Sequence, residues 1–288
     1  LSAKKINFNC LRIINEPIAA ALSYKLNYYD DKNILIFDLG GGTLDLSIIN
    51  IDEEIIDVIA THGDNNLGGN NFTELINKKY PNKTFLECEE IKLNSEFNYT
   101  DLFLKIIKHL DHIINISDLE KHEIDHIILV GGATKLNSLQ NIIEKYFNKK
   151  PLCNIDPQLV VSMGCAIQGF IIKNPDYEIS KSITLLDTVS LSIGVESDNG
   201  LMTKIINKGD KVPTKSYKDF IINEKEFSIK IYQGERKLAK DNYLLKDIKF
   251  NINKNIIRVS VSVDINNLIV VKVLEKETNN YKIIDISN

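Results

Sequence analysis

The hydrophobic period of this chain changes near residue 180, and that change restricts it to two differently built units. Before that point, short apolar runs alternate with segments spaced by three and four residues. Ile34-Leu35-Ile36-Phe37 and Ile127-Ile128-Leu129-Val130 suit buried strands, whereas Leu102, Ile106, Leu110 and Ile113 recur on one helical face. From Ser190 onward only β-rich stretches remain, at 191–195, 227–231, 259–263 and 268–273, separated by Asn, Asp, Gly or Lys. The first pattern predicts helices and strands around a sheet, the second an all-β sandwich. The join falls in the polar stretch 174–188, where Leu185-Leu186-Asp187 interrupts an otherwise exposed connector. We assign 1–180 to the α/β unit, 181–188 to a linker and 189–288 to the sandwich. A length of 288 residues accommodates two such domains.

Composition removes several function classes. With 35 basic and 39 acidic residues interspersed, the net charge of −4 offers no electrostatic footprint for nucleic acid or an anionic membrane. No apolar run approaches the roughly 20 residues needed to span a bilayer, and the start has no signal-peptide layout. Cys10, Cys88, Cys153 and Cys165 are scattered without a CxxC pair, which fits a reducing cytoplasm. Ile, Asn and Lys dominate while Trp is absent, as in AT-rich genomes, so Ile clusters carry less structural information here than usual. The first residue is not methionine, which suggests a piece of a longer chain or an alternative start.

Residues 3–29 read as a helix that opens around Asn15-Glu16-Pro17, an Asn cap before a first-turn proline. Residues 33–60 change to a strand meander. Between its first two strands, Asp38-Leu39-Gly40-Gly41-Gly42-Thr43 places three glycines in a turn, where backbone N–H groups approach an anion without Cβ obstruction. Asp38 at the strand end is then placed to hold Mg2+ or its water. A plain glycine-rich hairpin is the alternative. Gly131-Gly132-Ala133-Thr134-Lys135 follows a second apolar strand and opens a helix, again either a phosphate or nucleoside contact or a simple strand-to-helix turn. His122-Glu123-Ile124-Asp125-His126 formally matches the HExxH zinc-protease pattern. That pattern needs a helix interior, and here it runs into the strand 127–130, so charged loop residues are the better reading.

Taken together, four segments resemble the 70-kilodalton heat-shock chaperones: Arg12-Ile13-Ile14-Asn15-Glu16-Pro17-Ile18-Ala19-Ala20-Ala21; Ile36 through Asp45; Gly63-Asp64 with Leu67-Gly68-Gly69; and Leu129-Val130-Gly131-Gly132-Ala133-Thr134. Downstream, Leu185-Leu186-Asp187, Leu191-Ser192-Ile193-Gly194, Val212-Pro213-Thr214-Lys215, Gln233-Gly234-Glu235-Arg236 and Asp241-Asn242 resemble that family's linker and peptide-binding sandwich. Ile155-Asp156-Pro157, Gly164 with Ala166-Ile167-Gln168, and Glu275-Lys276-Glu277-Thr278 look most like its iron–sulfur-assembly member.

The resemblance implies an α/β actin-like ATPase lobe, the second of the family's two, followed by a β-sandwich, with ATP and Mg2+ as cofactors. Glu16, Asp38 and Thr43 match catalytic-site positions, with Asp38 beside Mg2+ through water. Gly40, Gly41, Gly42 and Thr43 match a phosphate loop. Lys92, Gly131, Gly132, Lys135 and Asp156 match nucleoside-side positions, although the family usually has Arg where Lys135 stands. Val195, Phe220 and Phe227 fall where the family lines its peptide pocket, ordinary sandwich core being the alternative, and Asp198 replaces a commonly apolar arch residue. The implied partners are extended client peptides, an iron–sulfur scaffold protein and a J-domain co-chaperone. The family's first lobe and helical lid have no counterpart here, and residues 67–99 are shortened, so weak ATPase activity and fast, weak client binding are expected. A nonenzymatic peptide binder is the competing class.

Overall fold

A computed structural model describes residues 5–7, 9–24, 31–52, 55–94, 97–177, 184–186, 188–222, 226–251 and 256–286. The chain forms two compact units, one spanning Ile14–Leu185 and the other Leu186–Asn288 together with Leu1–Ile13. Among the described residues, no helix is long and apolar enough to cross a membrane.

In the first unit, helix α1 (Glu16–Ser23) precedes strands β1 (Lys32–Leu39), β2 (Leu44–Asp52) and β3 (Ile55–Asp64). Helices α2 (Gly69–Lys79), α3 (Phe85–Asn94) and α4 (Thr100–Ser117) follow. Strand β4 (Ile124–Val130), helices α5 (Asn137–Phe147) and α6 (Val160–Lys173), and the short strand β5 (Thr184–Leu186) complete it. The sheet order is β4-β1-β2-β3-β5, with β1 antiparallel to β2 and parallel to β4. The segment 184–186, read as linker, is therefore this sheet's terminal strand.

Strand β1 is apolar at successive positions because both faces are covered. Leu35 and Phe37 join a core with Ile106, Leu110 and Leu139, whereas Ile34 and Ile36 face a second core containing Ile18 and Val160. The described helix of the N-terminal segment is Glu16–Ser23, with Pro17 in its first turn. Asn15 occupies the cap position without a side-chain capping bond, so Pro17 and the buried Ala19-Ala20-Ala21 run define this helix more than the cap does. Helices α1 and α6 pack at backbone distance, since a methyl group built on Gly164 would lie 1.7 Å from the Ala19 carbonyl oxygen.

The second unit is entirely antiparallel. Strands β6 (Ile193–Ser197), β7 (Leu201–Ile206), β9 (Glu226–Gln233) and β10 (Tyr243–Asn251) form one sheet in the order β10-β9-β6-β7. Strands β8 (Thr214–Ile221), β11 (Ile256–Val263), β12 (Ile269–Glu275) and β13 (Tyr281–Asp285) form another in the order β13-β12-β11-β8. Both sheets contribute to a single core, in which Val195 and Ile231 from one meet Val259, Val261, Val271 and Val273 from the other. Alternation along β11 explains the split, with its Val residues inward and Arg258 on the other face beside Asp219.

Candidate functional site

Strand β1 delivers Asp38 opposite Asp45 on β2, and Glu16 at the start of α1 lies near enough to repel it. Burial foremost, then Glu16 and Asp45, push the Asp38 carboxyl from its ordinary 3.8 up to about 7. Among the described residues, none of these three carboxylates has a hydrogen-bond or ion-pair partner. Asp45 is absent from the sequence reading although a signal is present: it stands two residues after the four-residue turn Gly40–Thr43 as Asp38 stands two before it, and antiparallel register pairs the two.

The turn itself is closed by the Gly40 N–H, which donates to the Thr43 carbonyl at 3.1 Å. From the other side, Gly69 and Asn70 at the start of α2 donate their N–H groups to the carbonyls of Gly40 (2.8 Å) and Gly41 (2.7 Å). The Asn71 side chain accepts from the Gly68 N–H at 2.7 Å and fixes this helix start. A methyl group on Gly68 would come within 2.5 Å of the Gly41 carbonyl oxygen, so only glycine admits the clasp. With the carbonyls of Gly40 and Gly41 engaged, the exposed N–H groups of Gly41 and Gly42 have no acceptor among the described residues.

The second turn meets the first. Gly131, at φ +86°, lies so close to β1 that an added methyl group would sit 2.3 Å from the Leu39 carbonyl oxygen and 2.8 Å from an Asp38 carboxylate oxygen. Its N–H donates to the Pro157 carbonyl, and Thr134 folds its hydroxyl back onto the Gly131 carbonyl. Lys135 donates to Asp156 at 2.9 Å and to Gln158 at 2.8 Å. The Lys135 bond, and then the Gln158 N–H, hold the Asp156 carboxyl below its ordinary range. Gly40, Gly41, Gly42, Thr43, Gly131 and Gly132 thus flank the Asp38 strand end, while Lys135 and Asp156 pair with each other beyond the second turn. Lys92 stands behind α2, buried, and paired with Glu89 at 2.6 Å.

Residues 122–126 do not form the two-histidine helical face that HExxH requires. His122 belongs to a single 3₁₀ turn (Lys121–Glu123) beside Glu120, and His126 lies on β4. Among the described residues, no group of three or more His, Cys, Asp or Glu side chains is placed to hold a metal ion by itself. In the second unit, Val195 is core, Phe227 stacks edge-on against Phe250 at 6.0 Å, and Phe220 packs half-buried against the same core. A cavity of about 330 Å³ lies elsewhere, lined by Pro213, Lys215, Asp264, Leu268 and Val270 among others. Nothing is described of the Asp198 side chain or of Asp187.

A mixed α/β unit with two glycine turns at neighbouring strand ends, followed by an antiparallel unit, has the build of an ATPase region leading into a substrate-binding region. The chain matches the Hsp70 protein family over residues 2–100 and 94–288, and it belongs to that family. It is 35% identical to a heat shock 70 kDa protein of Neurospora crassa over 341 residues, an alignment that takes in 97% of this chain and 52% of the relative. The chain therefore spans about half the length of that curated relative. The relative is also longer across the shared span, and the family match breaks at 94–100, between α3 and α4.

Proposed function

We propose that the first unit is the second lobe of an actin-like ATPase and binds a magnesium-bound adenine nucleotide at the Asp38 strand end. The observation that carries this reading is the juxtaposition of acceptor-free Gly41 and Gly42 amides with three unpaired carboxylates. Amides without acceptors fit phosphate oxygens, and mutually repelling carboxylates fit a divalent cation. Mg2+ usually retains several waters and takes few protein ligands, so Asp38 and its neighbours suffice without a ready-made three-ligand cage. When bound, Mg2+ supplies charge neutralisation at the transferring phosphoryl group. Asp38 holds the cation side, Glu16 orients water from across the site, and the glycine turn positions phosphate oxygens while Thr43 closes it.

The second unit is proposed as a peptide-binding sandwich that takes extended clients by strand-like hydrogen bonding, with Val195, Phe220 and Phe227 near the apolar subsite. The finer reading, iron–sulfur assembly with a scaffold protein as client and a J-domain co-chaperone as stimulator, rests on the local motifs around Asp156, Gly164 and Glu275. The proposed compartment is a reducing cytoplasm, a reading supported by four free cysteines, three of them exposed.

Calorimetric titration of the full chain with Mg-ATP is expected to show saturable binding at or below millimolar concentration. Heat no greater than dilution at that concentration would discard the nucleotide reading and leave a peptide binder. A parallel titration with labelled apolar peptides tests the second unit. Preference for a scaffold-derived peptide over a generic apolar one is the expected sign of the iron–sulfur subtype, and equal affinity removes it.

A further inference from the structure

Lys92 matches a nucleoside-side position of the family, yet its surroundings give it another task. Its side chain is 8% exposed, and Nζ donates to the Gly69 carbonyl at 3.3 Å, the Thr73 hydroxyl at 3.0 Å and Glu89 Oε1 at 2.6 Å. An ammonium has three N–H groups, and all three are engaged. The single Thr73 O–H lies within reach of both Glu89 and the Gly69 carbonyl and donates to one or shares itself between them, under the first turn of α2. Gly69 is the residue whose N–H holds the Gly40 carbonyl. Lys92 therefore braces the clasp on the glycine turn. Lys135, the other cation near the site, is held by Asp156 and Gln158. The family match is also made in two stretches that meet just beyond α3.

On the phosphate-site reading above, we infer that this unit recognises the metal-bound polyphosphate and does not read the base. Strong discrimination needs polar groups aimed at the distinguishing atoms and left unpaired when the wrong ligand binds. Among the described residues, the two candidate cations, Lys92 and Lys135, are already held by acceptors of this chain. The ligand class is then any nucleoside triphosphate or inorganic tripolyphosphate carrying Mg2+, with Lys92 as a positioning residue.

The test is calorimetry of the full chain with Mg-ATP, Mg-GTP and Mg-tripolyphosphate. Dissociation constants within about threefold of one another are expected, since one methylene-sized contact already accounts for tenfold or more. Mg-ATP binding tenfold or more tighter than both others overturns the inference. Lys92→Met is expected to weaken all three ligands by a common factor, with Lys92→Arg recovering part of the loss; weakening of ATP alone overturns it. The wild-type comparison stands even if a variant misfolds. Failure of all three ligands to bind overturns the phosphate-site reading itself, and the inference with it.

Discussion

Asp38→Asn is expected to make the chain more heat-stable at pH 8 while abolishing magnesium-dependent nucleotide binding. The folded chain keeps the Asp38 proton up to about pH 7, whereas the ordinary carboxyl releases it near 3.8. Folded protein thus binds more protons than unfolded protein between those values, and stability falls as pH rises from about 4 through about 7, then levels off. A shift of roughly three units sets a ceiling of about 4 kcal/mol at 1.36 kcal/mol per unit. Partial solvent access brings the expected gain nearer 2 kcal/mol. Asparagine removes the charge and with it this slope. Thermal melts at pH 5 and pH 8 measure the first effect and calorimetry the second. An unchanged pH slope in the variant would show that Asp38 is not the strained group. Unaltered Mg-ATP binding would show that it is not the cation side of the site.

Two glycines five residues apart on α6 should respond in opposite directions to the same substitution. Gly164→Ala drives a methyl group to 1.7 Å from the Ala19 carbonyl oxygen, backbone that cannot rotate away, so α1 must move. Overpacking of this kind costs at least 1–3 kcal/mol, and about 3 kcal/mol or more is expected here because the obstacle is main chain. Since α1 positions Glu16, nucleotide binding should weaken as well. Gly169→Ala meets nothing within 4 Å and should stabilise by about 0.5–1 kcal/mol through helix propensity. The six α-helices named above lie in the first unit, so the helical signal at 222 nm reports mainly on that unit during melting. Equal destabilisation by both substitutions would refute the close α1–α6 packing.

The sequence exposed the parts of this fold that depend on local chemistry. Glycine turns after apolar runs, the three- and four-residue spacing of α4 and the Val alternation of β11 are all written into neighbouring residues. Strands β8, β10 and β13 were less legible because they are rich in Lys, Tyr and Asp, and pairing across the sheet, not local hydrophobicity, determines them. The site divides in the same way. Asp38 and the glycines were visible as a motif, whereas Asp45 required a register and the saturation of Lys92 required three residues from two helices to meet. HExxH shows the converse: a pattern satisfied in letters that the adjoining strand already argued against, and that the structure lays across a turn and a strand.

The clasp on the glycine turn has a dynamic consequence. Because α2 grips the turn through its carbonyls, the turn need not reorganise to receive an anion, and the outward-facing peptide groups remain wet until it arrives. In deuterated water the protons on Gly69 and Asn70 should persist while those on Gly41 and Gly42 are lost at once, and occupancy of the site should be recorded by the late survival of those two alone.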